Sequence, residues 1–163
     1  MTTPGGMHSY YAHAYYKNPR KEGKFESENR CSCPEAQLYA GECKKVVCNK
    51  MNGCNLRVTK IAVGVPSLCV ELTHTALQVK YKCRQCGHEV HKTYELIEQF
   101  EGFGDTFNEW GRYTNLCKSE ETTKLRKTNF NEIEDEFRGM CQCYMEVFHD
   151  SQMWTKKLLK RIS

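Results

Sequence analysis

Apolar residues are scarce in this chain: they make up 39% of its 163 residues, and the mean hydropathy is −0.71. A core drawn from so little apolar material needs an additional staple. No stretch approaches the length of a membrane-spanning run, and the start, MTTPGGMHSYYAHAYYKNPRK, lacks the basic region followed by an apolar region that marks a secretory signal. The expected address is therefore intracellular, cytoplasmic or nuclear, where thiols stay reduced. Eleven cysteines, an odd number, then read as metal ligands more readily than as a closed set of disulfides.

Complete catalytic motifs are also missing. His88-Glu89-Val90-His91 has one residue too few for the metalloprotease spacing, and it lies in an expected strand, where residues three apart face opposite sides. Lys82 stands where zinc deaminases carry a proline before their Cys-x-x-Cys. A thioredoxin-like Cys-x-x-Cys opens a helix, whereas here a strand follows. Gly102-Phe103-Gly104 lacks the third glycine of a phosphate-binding loop. Cys69 and Cys117 remain as candidate nucleophiles with no base identifiable from sequence, so no catalytic residue is assigned.

The stretch Leu77 to Ile97, LQVKYKCRQCGHEVHKTYELI, organises the rest. Leu77, Val79, Tyr81 and Cys83 recur at period two, and so do Val90, Tyr94 and Leu96, which predicts two half-buried strands. Between them Cys83-Arg-Gln-Cys86 has the spacing at which one tight turn aims two thiolates at a single ion, and Gly87 supplies the positive φ such a turn needs. The Cys83 to His88 segment resembles the knuckles of zinc ribbons and treble clefs, a resemblance that implies metal ligation and nothing about activity. A knuckle supplies half of a four-ligand zinc site.

The other half must come from elsewhere. Cys48 and Cys54 flank the Asn52-Gly53 turn dipeptide, with Val46 and Val47 before it and Leu56, Val58, Ile61 and Val63 after it. The expected first site is therefore Cys48, Cys54, Cys83 and Cys86. Cys31, Cys33 and Cys43, with His88 or His91, are left for a second site or replace a ligand of the first. Cys69, between Leu68 and Val70, reads as a buried thiol, and His74 as a surface or hydrogen-bonded histidine. Phe100, Phe103, Phe107, Trp110 and Tyr113 are expected to cover one side of the β core.

Near the C-terminus, Asn129 is a plausible N-cap with Glu132 at the capping-box position. Phe130, Ile133, Phe137, Met140, Cys141, Tyr144 and Phe148 then recur at three and four, one helical stripe. Trp154, Leu158, Leu159 and Ile162 form a basic, amphipathic end carrying Lys156, Lys157, Lys160 and Arg161. Residues 1–30 show no hydrophobic period and read as a disordered tail in which Tyr15 and Tyr16 adjoin Lys17, Arg20 and Lys21, a combination able to stack on bases and meet phosphates.

The sequence thus predicts an α+β protein: a tail over residues 1–30, a zinc-stabilised β-hairpin domain of zinc-ribbon or treble-clef type over 31–150, and a C-terminal amphipathic extension over 151–163. The first functional expectation is a non-catalytic adaptor or complex subunit that meets a protein partner, with no membrane or small-molecule substrate. The second is RNA binding through the two basic termini, and the third is an enzyme with a cysteine or metal-dependent site.

Overall fold

The computed structural model describes residues 12–14, 25–51, 56–58, 72–100, 103–114, 117–140 and 151–163. In chain order the elements are β1 (Ala12–Ala14), β2 (Phe25–Ser27), β3 (Leu38–Tyr39), β4 (Glu42–Met51), β5 (Leu56–Val58), β6 (Leu72–Cys83), β7 (Glu89–Phe100), β8 (Phe103–Tyr113), β9 (Cys117–Lys124), α1 (Phe130–Arg138) and α2 (Ser151–Ile162). β1 pairs with β5, and a seven-stranded sheet runs β2-β8-β7-β6-β4-β9 with β3 also on β6. These pairings are all antiparallel.

The α+β class holds, with two α-helices among the described residues of which one is C-terminal, but the small hairpin core is corrected. The knuckle hairpin is the centre of a wide sheet whose main strands run to 12 residues. Two further elements differ from expectation. Val46 and Val47, expected to lead into the Asn52-Gly53 turn, belong to a longer strand, β4, which starts already at Glu42 because β6 and β9 pair with it from both sides. Phe25–Ser27, within the expected tail, is a strand on β8.

The period-two pattern places one face of the hairpin against the helices. Leu77, Val79, Tyr81 and Cys83 of β6 and Val90, Tyr94 and Leu96 of β7 are buried with Phe130, Ile133 and Phe137 of α1 and Trp154, Leu158 and Ile162 of α2. Trp110 stacks on Phe130 at 5.7 Å between centroids, and Tyr81 meets Phe130 edge-on at 5.2 Å. The Asn129 side chain caps α1 by accepting from the Asn131 amide at 2.8 Å. The helix stops at Arg138, where the Gly139 amide bonds back to the Asp135 and Glu136 carbonyls. Met140 is still buried, while Cys141, Tyr144 and Phe148 of the expected stripe lie outside the described residues.

Lys92 falls on this same buried face of β7, where a cation needs a partner. Its ammonium donates to Glu134 of α1 at 3.0 Å; the Tyr94 hydroxyl donates to the same carboxylate at 2.5 Å, and Asn108 donates to its other oxygen at 2.9 Å. Tyr81 and Tyr94 share a further hydroxyl bond of 2.7 Å. Desolvation pulls the Lys92 pKa down, against the opposing pull of Glu134. The charge pair thus ties α1 to the middle of the sheet.

The opposite face is buried at one end. Val46, Ala76 and Tyr113 cluster there with Phe25 packed against them. His74 Nε2 lies 2.5 Å from a Glu95 oxygen that also accepts from the Tyr113 hydroxyl at 2.6 Å. His74 is thus a hydrogen-bonded, buried histidine. The aromatic cover is split between faces, since Trp110 packs with the helix-side core and Tyr113 with the other cluster.

Gly111 sits between those two residues at φ +141°, and a Cβ built there would lie 2.3 Å from the Glu26 carbonyl oxygen. Only glycine lets β2 approach this closely. Gly111→Ala should destabilise the fold by about 1–3 kcal/mol or more, the usual scale of backbone strain. A denaturation midpoint equal to wild type would contradict that.

Candidate metal centre

The centre is built on the tip of the β6–β7 hairpin. Lys82 pairs with Glu89, and the intervening turn is closed by the Gly87 amide on the Cys83 carbonyl and the Cys83 amide on the His88 carbonyl, both at 2.9 Å. Gly87 has φ +79°, the left-handed conformation the turn requires. The Cys86 amide points at Cys83 Sγ from 3.5 Å.

A strap of chain wraps this tip. β2 leaves the sheet at Ser27, opposite Gly111, and the Glu28 amide still bonds to the Trp110 carbonyl at 3.2 Å. The Glu28 carboxylate then accepts from the His91 amide at 2.8 Å, and from its ring Nδ1 at 3.1 Å, with Arg112 Nε at 3.3 Å. His88 Nε2 donates to the Asn29 carbonyl at 2.9 Å. Arg30 lies with its guanidinium 5.8 Å from the Trp110 ring centre and bonds to the Cys33 carbonyl. Beyond Pro34 a short 3₁₀ turn, Glu35–Gln37, leads into β3, where Leu38 stands opposite Cys83. The Arg84 amide bonds to the Gln37 carbonyl at 2.8 Å.

The wrapping brings Cys31 and Cys33 onto the knuckle. The Sγ atoms of Cys31, Cys33, Cys83 and Cys86 all lie within 4.8 Å of one another. Four thiolates arranged about Zn–S bonds of ~2.3 Å have sulfur–sulfur edges of about 3.8 Å, so the group is close enough to hold a metal ion. Cys83 is buried, Cys31 and Cys33 are half-buried and Cys86 is exposed. With four protein donors, a tetrahedral ion has no open position for substrate, which is the form of a structural centre.

The electrostatics are uneven. The Cys86 amide, with help from that of Gln85, holds the Cys83 thiol down at about 6 against opposing desolvation. Desolvation and the hydrogen bonds from the neighbouring thiols push Cys33 up to about 12. At Cys86 the His88 amide favours the thiolate, but desolvation and the thiols of Cys31 and Cys83 outweigh it and the pKa rises. One thiolate is stabilised by the turn itself. A bound cation would supply what the others need.

This ligand set corrects the expected first site. Cys48 stands opposite His74 in the sheet, nine positions along β6 from Cys83, which at 3.3 Å per residue is roughly 30 Å away. Cys54 lies outside the described residues. Cys31 and Cys33 take their place beside Cys83 and Cys86. Cys43 is buried in the helix-side core, where desolvation raises its thiol to about 12, and it does not belong to the four-thiol group. His88 and His91 also stand outside the group. Each holds the strap through Asn29 or Glu28, so they position Cys31 and Cys33 without joining them.

Of the residues expected to meet nucleic acid, Tyr15, Tyr16, Lys17, Arg20 and Lys21 lie outside the described residues. Lys156, Lys157, Lys160 and Arg161 are exposed along α2. Cys69 is likewise outside, and Cys117 opens β9 opposite Cys48. Among the described residues, no helix is long and apolar enough to cross a membrane.

The fold and this site define a cysteine-rich α+β chain with a four-thiol group suited to a metal ion. Comparison with protein-family models, curated proteins and solved structures finds no match.

Proposed function

We propose that the chain is a non-catalytic zinc-stapled adaptor of the cytoplasm or nucleus, in which the metal pins the strap to the hairpin and the rest of the surface meets a protein partner. The closed set of four cysteines carries this reading: it fills every tetrahedral position with protein. Thiolate-only tetrahedra select zinc or iron–sulfur centres, and a colourless protein separates the first from the second. Native mass spectrometry of the reduced protein should find one zinc bound by Cys31, Cys33, Cys83 and Cys86, and Cys31→Ser with Cys33→Ser should abolish it. A metal-free wild-type chain, or a double variant that still retains the ion, would count against the reading.

Nucleic-acid binding is the second reading, favoured by the exposure of four basic side chains on α2. Phosphate contacts weaken steeply with added salt, so RNA affinity measured across a salt series separates it from a helix-mediated protein contact.

A further inference from the structure

We propose that the four-thiol group is a peroxide-responsive latch, in which oxidation of Cys86 and Cys83 to a disulfide releases the metal and frees the strap from the hairpin. The inference rests on the zinc-stapled reading and adds the condition under which the staple opens.

Accessibility divides the four thiols. Every residue from Arg84 to Glu89 is exposed, Cys86 among them, while Cys83 is 1% exposed and Cys31 and Cys33 are half-buried. Oxidation follows thiolate character and exposure; coordination makes all four sulfurs thiolates, so exposure decides and Cys86 is the point of entry. The buried Cys43 thiol, outside the group, has neither an open face nor a place among the neighbouring sulfurs.

The turn then selects the partner of the oxidised sulfur. Cys83 and Cys86 share one tight turn, closed by the Gly87 amide on the Cys83 carbonyl at 2.9 Å, with the Cys86 amide 3.5 Å from Cys83 Sγ. Their Sγ atoms lie within 4.8 Å of each other, held by bonds local to the turn. Cys31 and Cys33 approach instead on a strap that continues into strands of three and two residues.

The chemistry balances with a peroxide as the oxidant. The Cys86 thiolate attacks one peroxide oxygen: an S–O bond forms, the O–O bond breaks, and the departing hydroxide takes a proton to become water. The Cys83 thiolate then attacks the Cys86 sulfur of the sulfenic acid, so that the S–S bond forms, the S–O bond breaks and a second hydroxide leaves as water. The two thiolates give up two electrons, and hydrogen peroxide is reduced to two waters. With both knuckle sulfurs in a disulfide, the centre keeps the donors of Cys31 and Cys33 alone, half of a tetrahedral set.

The test adds hydrogen peroxide stepwise to the full, zinc-loaded chain, follows released zinc with a colorimetric chelator, and maps oxidised cysteines by mass spectrometry of digests. In a parallel sample dimedone, which traps sulfenic acids, should label Cys86 first. The Cys83–Cys86 disulfide should then grow in step with the released zinc, and the cooperative melting transition should be lost with it. Dithiothreitol and zinc should restore that transition. The latch is overturned, with the zinc-stapled reading intact, by any of four results: a first label elsewhere than Cys86, zinc retained while peroxide oxidises other cysteines, a disulfide from Cys86 to Cys31 or Cys33 that fastens the strap covalently, or a transition that reductant and zinc do not restore. A wild-type chain that carries no metal removes both.

Discussion

Stripping the metal with a strong chelator should abolish the cooperative thermal transition and collapse the near-UV circular dichroism, and one equivalent of zinc should restore both. The physical argument is one of scale. A structural zinc site contributes an apparent free energy of about 10–16 kcal/mol. A whole domain is stable by only about 5–15 kcal/mol. An ion held by the four thiols would join the strap to the hairpin, and the strap continues into strands at both of its ends: β2 on β8 and β3 on β6. Without the ion, four thiols crowd together with no cation between them, and both short strands lose their anchor. A metal-free protein that melts with the same cooperative transition as the loaded one would disprove the staple.

Glu134→Ala should be the most damaging single change away from the four-thiol group. It leaves the Lys92 ammonium, the Tyr94 hydroxyl and the Asn108 amide without the carboxylate that accepts from all three. Breaking a buried pair from one side costs about 3–5 kcal/mol, because the remaining charge is desolvated and uncompensated. For a chain of this size that lowers the melting temperature by roughly 10 °C or more. Replacing both partners, as Lys92→Met with Glu134→Leu, should recover much of the loss, since apolar side chains of similar volume leave no orphaned charge. A Glu134→Ala midpoint within about 1 kcal/mol of wild type would show that the pair contributes little to stability.

The hairpin, the positive φ of Gly87 and the cap at Asn129 were all legible because each depends on a few neighbouring residues. The partner of the knuckle was not. Cys31-Ser-Cys33 has a spacing that gives no strong ligand signal, while Cys48 and Cys54 flank an inviting turn. What decides between them is sheet register, which carries Cys48 to the far end of β6 and is set by pairings between residues distant in the chain. His88 and His91 misled for a related reason: imidazoles near thiols look like ligands, and only the path of the strap shows that they bond to Asn29 and Glu28. Lys92 did leave a trace. It occupies an apolar phase of the alternation Val90, Lys92, Tyr94, Leu96, and a lysine there implies a buried acid somewhere, though not that the acid is Glu134 on α1.

The strap that wraps the hairpin also orders events during synthesis. Cys31 and Cys33 leave the ribosome about fifty residues ahead of Cys83. At about 5–20 residues per second they wait roughly 3–10 s before a complete ligand set exists. Neither β2 nor β3 has a strand to pair with in that interval, because β8 and β6 are both still to come. The nascent segment must therefore keep its thiols reduced and unpaired until the hairpin emerges, and oxidation of Cys31 to Cys33 in that window would remove half the centre before the other half is made.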